Sequence, residues 1–477
     1  MHTEIDEPIA EKAKLSDPLT RLPAALHSAL AQHFGARFST GLSDRLTHGS
    51  DESPLRPMPP DAVVYAQSTD DVVRVAQLCH EHRTPLIPFG VGSSIEGHVL
   101  ALHGGVCLDL SCMSAILDIR PDDLCATVQA GVTRNALNRA LAHTGFFFSV
   151  DPGADASIGG MVATGASGTN TVRYGTMREN LVSLTIVTAE GRVIRTARRA
   201  RKSSAGYNLT QLFAGSEGTL GIVTEITVRL HPQPEAVGAA VVRFPGVVPA
   251  VQSVIQALQA GLGLARAEML DALTMRAINA HSGTAHAEAP TLFLEFCGST
   301  EQVRTQGEAM QDICSELGGS AFEWATRQED RTRLWGPRHH AYFAALQLRP
   351  GSRAVSTDAC VPLSALAQCV EETIIDIRDT GLIAPVFGHV GDGNFHCVLL
   401  VDLDDPAEMK RAEALSARLV QRAIALDGTC TGEHGVGLRK QAYLLDELGA
   451  DTVDLMRRIK QALDPRCILN PGKVFGP

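Results

Sequence analysis

Between Asp151 and Arg178 the chain reads DPGADASIGGMVATGASGTNTVRYGTMR, a run dominated by glycine, alanine and threonine. Glycine offers neighbours nothing to pack against and loses the most entropy on ordering, so the run is expected to form neither a helix core nor a strand core. What it allows is close approach of backbone N–H groups to another molecule, and pyrophosphate is the usual partner of such loops. A flexible linker is the alternative. Linkers, however, are rich in serine, proline and charge, whereas this stretch carries Ile158, Met161 and Val162 with the character of buried residues. The stretch therefore reads as a phosphate cradle rather than a linker.

At 477 residues the chain is too long for one core, and two or three domains are expected. A hydrophobic content of 44% with 20% charged residues places it among soluble globular proteins. The net charge of −11 argues against a nucleic-acid partner, which needs a basic face. The basic run Arg198 to Lys202 reads as a solvated loop. The acidic, polar start MHTEIDEPIAEK resembles neither a signal peptide nor a transit peptide, and no apolar run approaches the roughly 20 residues of a membrane span. The expected location is the cytoplasm, with peripheral contact at the inner membrane face. Eleven cysteines without a CxxC pair fit buried thiols in a reducing compartment and argue against iron–sulfur or zinc-ribbon sites.

Four segments are expected. Residues 1–56 read as an N-terminal helical segment, 57–234 as a nucleotide-cofactor domain, 235–449 as a substrate- and metal-binding cap, and 450–477 as a tail returning to the first domain. Within 57–234 the pattern predicts a capped helix over 70–82, a strand at 85–89 opening onto GVGSS, and strands at 106–110, 124–130, 182–188 and 222–230. A helix is expected at 133–144. His231-Pro-Gln-Pro234 breaks the pattern. The cap alternates strands (239–244, 291–297, 353–361, 383–389, 395–401) with helices (249–260, 300–317, 327–346, 363–379, 406–426). That alternation predicts an α+β domain with helices covering an antiparallel sheet.

No G-x-G-x-x-G follows a strand, and GxxxxGK[ST], HExxH and GxSxG are absent. Three separate small-residue loops instead point to a nucleotide held at several places. They are Pro88 to Ser94, the Asp151 stretch, and Gly215 to Gly221 leading into Ile222. Their order resembles the vanillyl-alcohol-oxidase, or PCMH-type, FAD-binding fold. That likeness implies an α+β class, with a FAD-binding domain of two α+β subdomains beside a cap built on an antiparallel sheet. It assigns FAD contacts to Pro88, Gly90, Gly92, Ser93 and Ser94, then to Pro152, Gly153, Gly159, Gly160, Thr164 and Gly168. Glu217, Gly221, Ile222, Val223 and Asn470 complete the set. Members with covalent flavin carry a histidine in the first loop; Ser93 and Ser94 stand there here, which implies non-covalent FAD.

In the cap, FGHVGDGNFHCVLLV (387–401) predicts a hairpin with a two-residue Asp392-Gly393 turn. That register sets His389 directly opposite His396, with Cβ atoms roughly 5 Å apart. Such a pair either grips a cation or simply packs. GTCTGEHGVG (428–437) adds Glu433 and His434 on a glycine-flanked loop. One carboxylate with two imidazoles makes a divalent site for Zn or Mn, and His434 makes a general base.

GHVGDGNFH, TGEHGVG, LNPGKV, SAGYNL, APTLFLEF and STDACVP together resemble the flavin-dependent D-2-hydroxy-acid dehydrogenases. The resemblance implies His389, His396 and Glu433 as metal ligands, His434 as catalytic base, and Arg338 as the anchor of the substrate carboxylate. Tyr342 and Trp324 would wall the substrate side-chain pocket. It further implies oxidation of a small D-2-hydroxy acid, D-lactate to pyruvate first, with D-2-hydroxyglutarate or glycolate as alternatives. Electrons would pass to cytochrome c, a quinone or an electron-transfer flavoprotein, and the chain would form a homodimer. The dicarboxylate branch has a lysine where this chain has Ser356, which favours a monocarboxylate.

Overall fold

The computed structural model describes residues 21–476. The first twenty residues of the expected N-terminal helical segment lie outside that range. Its described part holds the helices Ala24–Phe34 and Leu42–His48. Leu26, Leu30 and Phe34 recur at helical spacing and are buried.

The helix Thr69–His82 starts where Ser68 accepts a hydrogen bond from Asp71 N. Its buried face is Val72, Val75, Ala76, Leu78 and Cys79. It connects parallel strands in a four-stranded sheet ordered Phe38–Ser39, Ala62–Tyr65, Val106–Asp109, Leu86–Phe89. A second, antiparallel sheet is ordered Ile116–Arg120, Cys125–Gln129, Ile222–Arg229, Leu181–Val187, Val193–Arg195. One hydrophobic cluster runs through both sheets, from Leu86 and Val106 to Leu184 and Ile226. The tail reaches this region: Leu86 N donates to Ile468 O, and Asn470 N donates to Leu86 O.

The glycine-rich stretch departs from expectation, because part of it is helical. Ser157 caps a two-turn helix, Ile158–Thr164, by accepting from Gly160 N, and Gly165 ends it at φ 67°. Ile158, Met161 and Val162 supply the buried face that outweighs the poor propensity of glycine. The glycines allow close packing here: a Cβ on Gly159 would sit 2.7 Å from Ala130 Cβ, and one on Gly168 only 2.3 Å from Asp151 O.

The remainder is organised on an eight-stranded antiparallel sheet. Its order is Ser320–Ala325, Ala236–Arg243, Thr291–Gly298, Leu264–Leu270, Val386–Gly388, Asn394–Val401, Arg353–Ser356, and Ala359–Cys360 also pairs with Asn394–Val401. Helices Val247–Gln259, Thr300–Glu316, Leu363–Thr380 and Pro406–Ala425 cover one face. Ala272–Ser282 and Gln328–Gln347 cover the other. The expected class, α+β with helices over an antiparallel sheet, is therefore present. Two strands of this sheet were not anticipated, Leu264–Leu270 and Ser320–Ala325, and the continuous strand expected over 353–361 breaks at Thr357-Asp358.

The hairpin register also differs. Val386 pairs with Cys397 and Phe387 with His396, and Asp392 N and Asn394 N both donate to His389 O. The loop is thus two residues longer than expected, and His389 and His396 are diagonal rather than opposite. A shift of two preserves the side-chain face, so both imidazoles still emerge on the same side. Their ring centroids are 5.6 Å apart. Among the described residues, no helix is long and apolar enough to cross a membrane.

Candidate active site

The buried face of strand Leu264–Leu270 supplies the foundation. Glu268, with no exposed surface, accepts from Arg338 Nε at 2.8 Å and lies 2.7 Å from Arg338 Nη2. Its other oxygen bonds His389 Nδ1 at 2.6 Å. Burial by itself would raise the Glu268 carboxyl, but the charges of His389 and Arg338 outweigh it and hold it low. His389 Nδ1 therefore carries the proton, and so does His396 Nδ1, which donates to Thr357 O at 3.1 Å.

With both Nδ1 atoms engaged, each Nε2 is left as the free ligand atom. These converge on Glu433 Oε1, at 3.5 Å from His389 and 3.1 Å from His396. All three ligand atoms lie within 4.8 Å of one another. Two imidazoles with anchored outer nitrogens and one carboxylate fit a divalent cation of the zinc or manganese kind. Burial would lower the His389 imidazole, but Glu268 and Glu433 override this and push it well above its ordinary value. The same negative field would favour a divalent cation in place of the Nε2 proton. A second cluster, Asp358, His396 and His434, is equally compact. Asp358 is committed elsewhere: it accepts from Thr431 Oγ1, Glu433 N, His434 N and Asn394 Nδ2, and Lys440 Nζ already sits 3.3 Å away. That ammonium occupies the role a metal would take.

These bonds shape the Thr431–Gly437 loop. His434 stacks on His396, with centroids 4.9 Å apart and planes 11° from parallel. Its Nε2 lies 3.9 Å from Glu433 Oε1 and its Nδ1 lies 3.5 Å from Glu96 Oε1. Ser167, from the glycine-rich stretch, donates to Glu433 Oε2 at 2.6 Å. The glycine-rich stretch and the Thr431–Gly437 loop therefore touch.

The three small-residue loops converge on one another. A Cβ on Gly90 would meet Ser157 Oγ at 2.5 Å, and one on Gly218 would meet Pro88 at 3.1 Å. Gly215 N and Glu217 N donate to Val162 O and Ala163 O. Gly92 takes φ +70°, a conformation glycine adopts without strain. Backbone this closely nested, with Gly160 N held by the Ser157 hydroxyl, fits a pyrophosphate, while Gly153 is exposed with nothing within 4 Å. Ile222 and Val223 open the strand that follows Gly221, pairing with Val187 and Ile186, and a bulge follows Val223. Thr164 is at the helix end, its hydroxyl donating to Gly160 O.

Three expected assignments need correction. Glu217 does not offer a free carboxylate to a cofactor: it accepts from Val436 N and Gly437 N at 2.7 and 2.8 Å and lies 3.2 Å from His98 Nε2. It joins the third loop to the His434 loop. The Asn470 amide is likewise engaged, donating to His98 O and Glu217 O and accepting from Lys473. Trp324 is not at the site. It sits on the edge strand, opposite Ala240, on the sheet face away from Glu268, where its indole covers Gly238 and Gly307. Tyr342 follows Arg338 by one helical turn and packs against the cluster that holds Phe387, and its hydroxyl is raised by burial and by the Glu52 charge. Sequence reasoning missed Glu268, Asp358, Ser167 and Lys440. For Glu268 one signal existed, since Asp271 caps the next helix by accepting from Thr274 N, marking LARAEML as a strand before a helix.

Models of two families match the chain: the FAD binding domain over residues 60–197 and the C-terminal domain of FAD linked oxidases over 233–474. The chain is 50% identical to the probable mitochondrial D-lactate dehydrogenase of Danio rerio, covering 92% of this chain and 88% of that protein. It is 42% identical to the mitochondrial D-lactate dehydrogenase [cytochrome] of Arabidopsis thaliana, covering 96% and 81%. A glycolate oxidase subunit of Bacillus subtilis (strain 168) is 36% identical, covering 92% and 94%. Among solved structures, p-cresol methylhydroxylase with substrate bound superposes with a TM-score of 0.77 at 20% identity, covering 96% of this chain and 98% of that one. That likeness concerns the fold alone.

Proposed function

The chain belongs to the FAD-linked oxidase family that includes the flavin-dependent D-2-hydroxy-acid dehydrogenases, and from that premise we propose that it oxidises D-lactate to pyruvate at a divalent-metal site beside non-covalent FAD. The observation that carries the reading is the convergence of His389 Nε2, His396 Nε2 and Glu433 Oε1, tied to the cofactor cradle through Ser167. Bound FAD supplies a hydride acceptor, and the cation supplies a Lewis acid for the substrate hydroxyl.

The chain's own residues do the rest. Arg338 gives Nε and Nη2 to Glu268 and keeps further N–H donors for the substrate carboxylate. His434 takes the hydroxyl proton at Nε2, on the side where the metal ligands meet. Ser356 pairs with Val398 two residues beyond His396 and on the same face. That position supplies a hydroxyl and an isopropyl group but no cation for a second carboxylate, which favours a monocarboxylate. A cytochrome is the acceptor that the relatives' names support.

Anaerobic stopped flow on the purified yellow protein tests this. D-Lactate should bleach the flavin at least a hundredfold faster than L-lactate, and acid precipitation should release the flavin to the supernatant. A chelator should abolish bleaching while leaving the oxidised flavin spectrum in place, with Zn or Mn restoring it. Faster bleaching by D-2-hydroxyglutarate than by any D-monocarboxylate would replace this reading with the dicarboxylate one.

A further inference from the structure

Strand Leu264–Leu270 carries two charged side chains two residues apart, so both emerge from the same face. Glu268 holds His389 and Arg338. Arg266 reaches the other way, into the glycine-rich stretch. Its Nε donates to Asn170 Oδ1 at 2.9 Å, and its Nη2 lies 3.4 Å from Asp151 Oδ2. Its Nη1 lies 3.1 Å from Glu295 Oε2 on the neighbouring strand, and Trp335 lies under the guanidinium, 5.4 Å from Cζ to the ring centroid. Asp151 in turn closes the stretch on itself, accepting from Thr169 Oγ1 at 2.6 Å and Asn170 N at 2.9 Å.

We propose that Arg266 is a positioning residue, clamping the flavin-binding stretch onto the same strand whose Glu268 orients a metal ligand and the carboxylate anchor. The strand then acts as the spacer between flavin and reacting carbon; this rests on the function proposed above. It is suited to that task because it is hydrogen-bonded on both sides, to Thr291–Gly298 and to Val386–Gly388. Transfer between two separately held groups tolerates little error: about 1 Å of misplacement lowers the rate roughly a hundredfold. A planar fork with three distinct partners fixes orientation where an ammonium, a point charge, does not. A purely structural ion pair would affect stability and leave the transfer step alone, which separates the two roles.

The test uses Arg266→Lys and Arg266→Gln as holoenzymes. The lysine variant keeps a cation between Asp151 and Glu295 and so remains informative if the glutamine variant does not fold. For Arg266→Lys, flavin content, metal content and KM for D-lactate should stay within about twofold of wild type. Flavin reduction under anaerobic stopped flow should slow roughly ten- to a hundredfold. Amide hydrogen exchange should quicken across 151–174 and stay unchanged across 386–401. The inference is overturned if reduction keeps its wild-type rate, or slows only in proportion to flavin or metal lost. If no D-2-hydroxy acid reduces the wild type, the functional reading fails by itself. The exchange experiment then still decides the clamp, with unchanged exchange in 151–174 counting against it.

Discussion

Glu268 is the residue on which the site turns, although it touches neither of the groups the site would hold. It gives one oxygen to the His389 imidazole, the proposed metal ligand, and the other to the Arg338 guanidinium, the proposed carboxylate anchor. Replacing it with glutamine removes the charge both partners need while keeping the shape. Outer partners of metal-bound histidine typically contribute 10- to 100-fold in affinity. Glu268→Gln should therefore lose metal by roughly that factor on elemental analysis and raise KM for D-lactate, with flavin content unchanged. His434→Ala acts on a different step: it should retain metal and flavin and lower the rate of flavin reduction by about 10²–10⁴.

Among the elements, the glycine-rich stretch shows most clearly which positions demand glycine. Gly168 is one, because a Cβ there would collide with the Asp151 carbonyl at 2.3 Å, and backbone cannot easily yield. Gly153 is open, with nothing within 4 Å. Gly168→Ala should destabilise the folded protein by about 1–3 kcal/mol in chemical denaturation and weaken flavin retention, whereas Gly153→Ala should leave the unfolding midpoint near that of wild type. The helix within this stretch was legible only as three apolar residues, because propensity argued against it and burial decided it. The hairpin was legible as a hairpin with both histidines on one face. Its register was not, since turn length depends on how Asp392 and Asn394 fold back onto His389.

At the scale of the whole molecule, the His434 loop is held at a buried junction of opposite charges drawn from distant segments. Glu96 lies 3.1 Å from Lys440 and 3.0 Å from Arg439. Burial by itself would raise the Glu96 carboxyl; Lys440, His434 and Arg439 outweigh it and lower it to about 2 from an ordinary 4.5. Asp358 is lowered as well, with burial again overcome by His434, Lys440 and His396. Carboxyls depressed in the folded state stabilise it fully above the unfolded value and lose that contribution as the pH falls toward the folded one. Unfolding free energy should thus drop between about pH 4.5 and pH 2, Glu96 contributing on the order of 3 kcal/mol. Glu96→Gln should flatten that dependence in denaturation series at pH 5, 4 and 3. Local spacing pointed to the small-residue loops, the helix-covered sheet, and His389 and His396 on one hairpin face with Glu433 and His434 on a glycine-flanked loop, because turn chemistry, side-chain period and residue type act over a few neighbours; the roles of those residues came from the family resemblance. Tertiary structure decided the strand under Glu268, the engagement of Glu217 with Val436 and Gly437, and the removal of Trp324 to the far face. Each depends on partners 80 to 220 residues away. Which buried charge meets which is settled by how sheets and loops stack, and no local periodicity encodes it.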